Sequence, residues 1–139
     1  MKTLKDYAMS FLGLPYIWGG SNTIYGYDCS GLVQEILASV GMAPPLDMTA
    51  DGLYHHFLET GDIVDDLELG ALVFYGNANR IKHVAFCIDN FRVIEAGGGN
   101  SSCKTKEVAA KFDAFVRIRP YNHRKDLMSI IMPVYEFKK

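Results

Sequence analysis

The period of the hydrophobic pattern changes at Asp65, and that change limits the chain to one class of fold. Upstream, Leu4, Tyr7, Ala8, Phe11 and Leu12 fall at helical spacing across residues 3–12, with Thr3 placed to cap and Gly13 just past the end. Leu14-Pro15 stops that helix, because proline disfavours helical geometry in the residue before it. Leu32, Val33, Ile36, Leu37 and Val40 make a stripe over residues 29–40 wide enough for a centrally packed helix, with Gly41 as its terminator. A third helix fits residues 49–58, weakened by Gly52 and ended by Gly61. Downstream, residues 72–75, 83–88, 91–96 and 115–118 are short runs of β-branched and aromatic residues bounded by Gly, Asn and Asp, which reads as strands. Helices first and strands afterwards predict an α+β domain, N-terminal helices packed on a mostly antiparallel β-sheet. Residues 122–139 carry Leu127, Ile130, Ile131, Val134 and Phe137 and should dock on this body.

At 139 residues and 49% hydrophobic content, the chain reads as a single domain, 1–139, able to bury a core without metal or disulfide support. A net charge of −2 provides no footprint for nucleic acid, and no cluster of lysine and arginine suits a membrane surface. No stretch approaches membrane-spanning length. The three cysteines, Cys29, Cys87 and Cys103, are odd in number and unevenly spaced, which argues for a reducing compartment and against a disulfide framework.

Chemistry is concentrated at Asp28-Cys29-Ser30-Gly31, between the glycine-rich run Trp18-Gly19-Gly20-Ser21 and the apolar helix. A free cysteine is most often a small buried hydrophobe. Here it opens a helix among polar neighbours, where unpaired N–H groups and the positive end of the dipole stabilise an anion. Such a thiol can serve as a nucleophile.

A nucleophilic thiol needs a base. His55 and His56 share a weak helix and point in different directions, and His123 lies in a polar terminal loop. His83 opens a strand whose alternation can be followed: Val84, Phe86 and Ile88 point one way, His83, Ala85 and Cys87 the other. On the return strand Glu95 joins the His83 face if the connection is the three-residue Asp89-Asn90-Phe91, which sets it opposite Ala85 and diagonal to His83. A two-residue turn, Asp89-Asn90, would send Glu95 to the other face. On the matching face Glu95 would fix the tautomer of His83 and stabilise its charged form, the logic of nucleophile, base and orienter. Taken singly, Glu95 reads as a solvated strand charge and His83 as a structural histidine. The combination is what points to catalysis.

With these residues in place, the sequence resembles the NlpC/P60 family of cysteine peptidases, which have a papain-like fold and cleave peptidoglycan stem peptides. The resemblance rests on Gly13-Leu14-Pro15-Tyr16-Ile17-Trp18-Gly19-Gly20, Asp28-Cys29-Ser30-Gly31-Leu32-Val33, Gly70-Ala71-Leu72-Val73-Phe74-Tyr75 and His83-Val84-Ala85-Phe86, in the family's order across residues 1–120. It implies Cys29 as nucleophile and His83 as base, with Tyr16, Trp18, Asp28 and Ser30 lining the groove for a stem peptide or muropeptide. Asp28 and Ser30 would suit a free peptide amino terminus. The bond implied is an amide between γ-linked D-glutamate and a diamino acid. No cofactor and no metal is implied. Two positions depart from the pattern. Glu95 stands where the family most often has a second histidine, and as an anion it should raise the pKa of His83 more than a neutral partner would. Gly70-Ala71 replaces the usual Gly-Asp, which reads as a surface change.

Three other readings use the same residues. An amidase or transferase on another small amide would share the thiol chemistry. A cell-wall binding module would keep the fold and lose turnover, with Glu95 as the altered part. Zinc held by Cys29, His55, His56 and Cys87 lacks paired ligand spacing. Residues 1–13 hold Lys2 and Lys5 but no long apolar run, so the expectation is a protein cytoplasmic at synthesis, acting there on free muropeptides or brought to the wall by a phage or other machinery.

Overall fold

The computed structural model describes residues 1–22 and 26–135, so Phe137 lies outside the described residues. The first helix, α1, is Lys2–Met9, followed by the two-residue strands β1, Ser21–Asn22, and β2, Gly26–Tyr27. Thr3 does not cap α1; Met1 holds that position and contributes no side-chain bond. Helix α2 is Cys29–Ala38 and α3 is Ala50–Thr60. Both are capped by their sequence: the Asp28 side chain accepts from Gly31 N–H and that of Thr49 from Gly52 N–H.

The remaining elements are β3 (Asp62–Ile63), β4 (Leu72–Gly76), β5 (Ile81–Cys87), β6 (Arg92–Gly97), α4 (Lys106–Phe112), β7 (Phe115–Pro120) and β8 (Leu127–Met132). Six strands form an antiparallel sheet in the order β3-β8-β4-β5-β6-β7. The tail therefore does more than dock. Its β-branched run Ile130-Ile131 becomes β8, inserted between β3 and β4. Among the described residues no helix is long and apolar enough to cross a membrane.

Period-2 alternation gives the sheet two apolar faces. Leu72, Phe74, Val84, Phe86, Ile94 and Ala96 share one cluster with Leu32, Val33, Ile36 and Leu37 of α2 and with Leu53 and Phe57 of α3. Each of these large side chains contributes about 1.5–3 kcal/mol on full burial, which holds α2 against the sheet centre. Val73, Tyr75, Ala85, Cys87 and Val93 form a smaller cluster on the opposite face. Ala71 belongs to that cluster and is fully buried, so the Gly70-Ala71 departure is a core change rather than a surface one.

The β5–β6 hairpin resolves the open register. Phe86 stands opposite Ile94 and Cys87 opposite Val93, which carries Ala85 to Glu95. The connection is the three-residue one: Ile88 N–H donates to the Arg92 carbonyl at 3.0 Å. Asp89 stabilises it by accepting from the N–H groups of Phe91 and Arg92 at 2.9 and 2.6 Å.

Candidate active site

Cys29 is the first residue of α2, and the preceding Asp28 fixes that helix start in space. Oδ1 of Asp28 accepts from Gly31 N–H at 2.7 Å and from the Ser30 hydroxyl at 3.3 Å, while Oδ2 accepts from Gly19 N–H at 3.0 Å. Burial outweighs these donors and leaves the Asp28 carboxyl above its ordinary value. Gly31 is required here for space: a Cβ at that position would overlap the Gly20 carbonyl. The glycine-rich loop and the helix start are thus one unit.

Tyr16 and Trp18 come from a strap tied to the far end of the chain. Tyr16 N–H donates to the Ala114 carbonyl at 3.0 Å and Trp18 N–H to that of Cys103 at 2.7 Å. The buried Cys103 thiol donates to the Tyr16 carbonyl at 3.1 Å, which gives this cysteine a structural task. Gly99 lies against the Tyr16 ring so closely that a Cβ there would collide with it. Tyr16 is consequently buried, whereas Trp18 stands 52% exposed at the rim.

His83 and Glu95 meet as the three-residue connection requires. His83 Nε2 lies 2.9 Å from Oε1 of Glu95, and both residues are buried, at 6% and 2% exposure. Cys29 lines the same cavity as His83 and Glu95 and lies near enough to His83 to act on its charge. With Nε2 given to Glu95, Nδ1 is left for the thiol. Burial disfavours charge on His83, but the contact with Cys29 and then that with Glu95 outweigh it and lift the imidazole to about 9. Burial likewise opposes the Glu95 anion, yet His83 and then His123 hold its carboxyl well below the usual range.

His123 is the residue that the sequence reading set aside. Its Nε2 lies 2.7 Å from the same Oε1 of Glu95, and its side chain is largely covered. It reaches there on the segment linking β7 to β8, which crosses toward the far side of β4. The Tyr75 hydroxyl holds that segment by donating to the Tyr121 carbonyl at 2.6 Å, and Gly76 N–H by donating to that of Asp126 at 2.8 Å. An ionised carboxylate only accepts, so both imidazoles donate from Nε2. Burial lowers His123 below its ordinary value, helped by the charges of Arg119 and His83, despite Glu95.

Two cavities open on either side of Cys29, and Tyr16, Trp18, Cys29 and Lys82 border both. One, of about 520 Å³, is lined by Asp28, Ser30 and Asp47. The other, of about 620 Å³, holds His83, Glu95 and His123. The shared residues, Cys29 among them, join the two cavities into the candidate groove. His55 is elsewhere, exposed and 3.5 Å from Asp51 on α3. Among the described residues no three of His, Cys, Asp or Glu cluster to hold a metal ion, so the zinc set does not assemble.

Residues 13–118 match the NlpC/P60 family. The chain is 34% identical over 98 residues to the bifunctional muramidase/DL-endopeptidase CwlT of Bacillus subtilis, covering 68% of this chain and 29% of that protein. It is 34% identical over 91 residues to a gamma-D-glutamyl-L-lysine dipeptidyl-peptidase of Bacillus cereus, covering 62% of this chain and 25% of that one. The chain thus spans under a third of these relatives. A crystal structure of an NlpC/P60 family protein from Bacillus cereus superposes with a TM-score of 0.70 at 26% identity, over 95% of this chain and 39% of that one. The α+β fold and the sequence match agree, and the chain belongs to the NlpC/P60 family.

Proposed function

We propose that this chain is a cysteine peptidase domain that hydrolyses an amide bond in peptidoglycan stem peptides, with Cys29 as nucleophile, His83 as base and Glu95 as orienter. The observation that carries the reading is the buried His83–Glu95 pair, Nε2 to Oε1 at 2.9 Å, in a cavity that Cys29 also lines. Peptidoglycan is supported as substrate by the relatives' names, and the bond after γ-D-glutamate by the dipeptidyl-peptidase among them.

The Cys29 proton passes to His83, and the thiolate attacks the amide carbonyl. A backbone N–H at the start of α2 holds the oxyanion. His83 then protonates the leaving amine, the C–N bond breaks, and an acyl-enzyme forms. Water, deprotonated by His83, attacks this thioester and releases the acid. Glu95 keeps the imidazole in register and favours its charged form. Asp28, Ser30, Tyr16 and Trp18 line the half of the groove that takes the acyl component.

Mass spectrometry of purified muropeptides incubated with the intact protein and with Cys29→Ala tests this. The expected result is product from the intact thiol alone, with masses that place the cut after γ-D-glutamate. A folded protein with a free thiol and no product from any muropeptide would overturn the peptidase reading in favour of a wall-binding module.

A further inference from the structure

The two cavities share Lys82 but differ in their other charged residues, Asp28, Asp47 and Arg80 in one and His83, Glu95, Arg117, His123 and Arg124 in the other, and the direction of the chemistry says which end of a substrate each receives. A leaving amine must lie beside the group that protonates it, and only the cavity of about 620 Å³ is lined by both His83 and Cys29. That cavity therefore receives the amino component of the cleaved bond. The cavity lined by Asp28 and Asp47 receives the acyl component.

Five cationic or imidazole side chains border the leaving-group cavity: Lys82, His83, Arg117, His123 and Arg124. The two histidines are bound to Glu95, and Arg124 is engaged with Asp126 through bonds of 2.9 and 2.8 Å. Lys82 and Arg117 have no carboxylate within ion-pair distance among the described residues. Arg117 stands directly across from Glu95 in the β6–β7 ladder, yet gives one nitrogen, Nη1, to the Asp113 carbonyl at 3.1 Å, and its Nε is buried without a partner. Gly98 leaves room for its guanidinium, since a Cβ there would come within 3.0 Å of Nη2, and Gly97 leaves room for the Glu95 carboxylate, which a Cβ would approach to 2.6 Å. A guanidinium carries five donors in a planar fork matched to a carboxylate. Two cations without an ion pair of their own among the described residues, beside the position of the leaving amine, can take an anion.

We propose that the His83 side of the groove is a subsite for a free carboxylate on the leaving amino acid, held by Arg117 with Lys82 at its mouth. The assignment of sides rests on the peptidase reading above. The subsite selects for a diamino acid whose α-carboxyl is ionised and against one that is amidated or extended at that position.

The probes are γ-D-glutamyl-L-lysine with its lysyl α-carboxyl free and the same dipeptide as the carboxamide. Binding is read by NMR titration in Cys29→Ala, which cannot turn over. The free acid should bind about tenfold more tightly than the amide at low salt, as a charge-assisted contact would give. Arg117→Gln in that background should bring the two affinities together chiefly by weakening the acid, and Arg117→Lys should restore part of the gap. Should Arg117→Gln melt early through loss of its bond to Asp113, the exposed Lys82 gives the second variant, and Lys82→Gln should shrink the gap severalfold. Equal affinities for acid and amide in the Cys29→Ala protein, no measurable binding of the acid, or an equal loss for both probes on Arg117→Gln would overturn the subsite. Hydrolysis of both dipeptides by the intact thiol at equal kcat/KM would sink the subsite and leave the peptidase standing. A retained acid preference in binding with no hydrolysis of any muropeptide would do the reverse.

Discussion

His83 and His123 reach the same oxygen of Glu95, at 2.9 and 2.7 Å, and their surroundings push them in opposite directions. His83 sits on β5 with Cys29 on its other side, and the imidazole is lifted to about 9. His123 comes from the β7–β8 connection, where burial first, and then the charges of Arg119 and His83, take it below its ordinary value despite Glu95. A shared carboxylate therefore does not decide which ring is charged; what each ring faces on its far side does. The surroundings thus favour the charge on His83 and disfavour it on His123, whose bond to Glu95 holds the carboxylate in place.

The comparison yields four expectations. His83→Ala should lower kcat/KM on a cleavable muropeptide by about 10³-fold or more, since it removes the proton carrier outright. A residual activity near the parent level would break the distinction at its base.

Stability should depend on pH in the sense set by the two groups. The folded value of His83 exceeds the unfolded one, so its contribution is complete below about 6.5 and is lost as pH rises through about 9. The change amounts to about 3 kcal/mol at most. Glu95 is depressed in the folded state, so its contribution is present above the ordinary carboxylate value and disappears as pH falls through its lower folded one. Urea unfolding between pH 6 and 10 measures the alkaline loss, and His83→Gln should flatten it.

Glu95→Gln keeps the shape and removes the anion, and should cost about 10- to 100-fold in kcat/KM. It should also move the alkaline limb of the rate profile to lower pH, because the imidazolium loses its carboxylate. An unchanged limb would mean that Cys29 alone sets the charge on His83. The smallest effect belongs to His123→Gln, which preserves a donor to Glu95 and should cost about threefold at most, within the range of a single hydrogen bond. NMR titration of the two rings is the direct check: His83 should titrate near 9 and His123 below the usual imidazole range.

Local periodicity carried much of the fold, and non-local pairing carried most of what was missed. The stripe Leu32, Val33, Ile36, Leu37 announces α2 because 3.6-residue spacing needs no knowledge of a partner. Glu95 was legible up to one residue of loop length, and the Asp89 side chain that settles it acts within three positions. His123 was not legible, because its position depends on β8 pairing with β4 more than fifty residues upstream. Arg117 was hidden likewise: only the β6–β7 register puts it across from Glu95. Helix α4 left too weak a stripe to read, with Ala109 its single fully buried apolar residue; its Thr105 cap and left-handed Asp113 end are local signals that could have found it.

The insertion of β8 between β3 and β4 also orders events during synthesis. A nascent chain ending near residue 120 already holds Cys29, His83 and Glu95, but its β4 is an unpaired edge, with the Leu72–Gly76 backbone open to any other strand. Pairing of β8 closes that edge, and the same segment brings His123 to Glu95. The exposure of the β4 edge and the incompleteness of the carboxylate's surroundings thus end together, with one segment of chain.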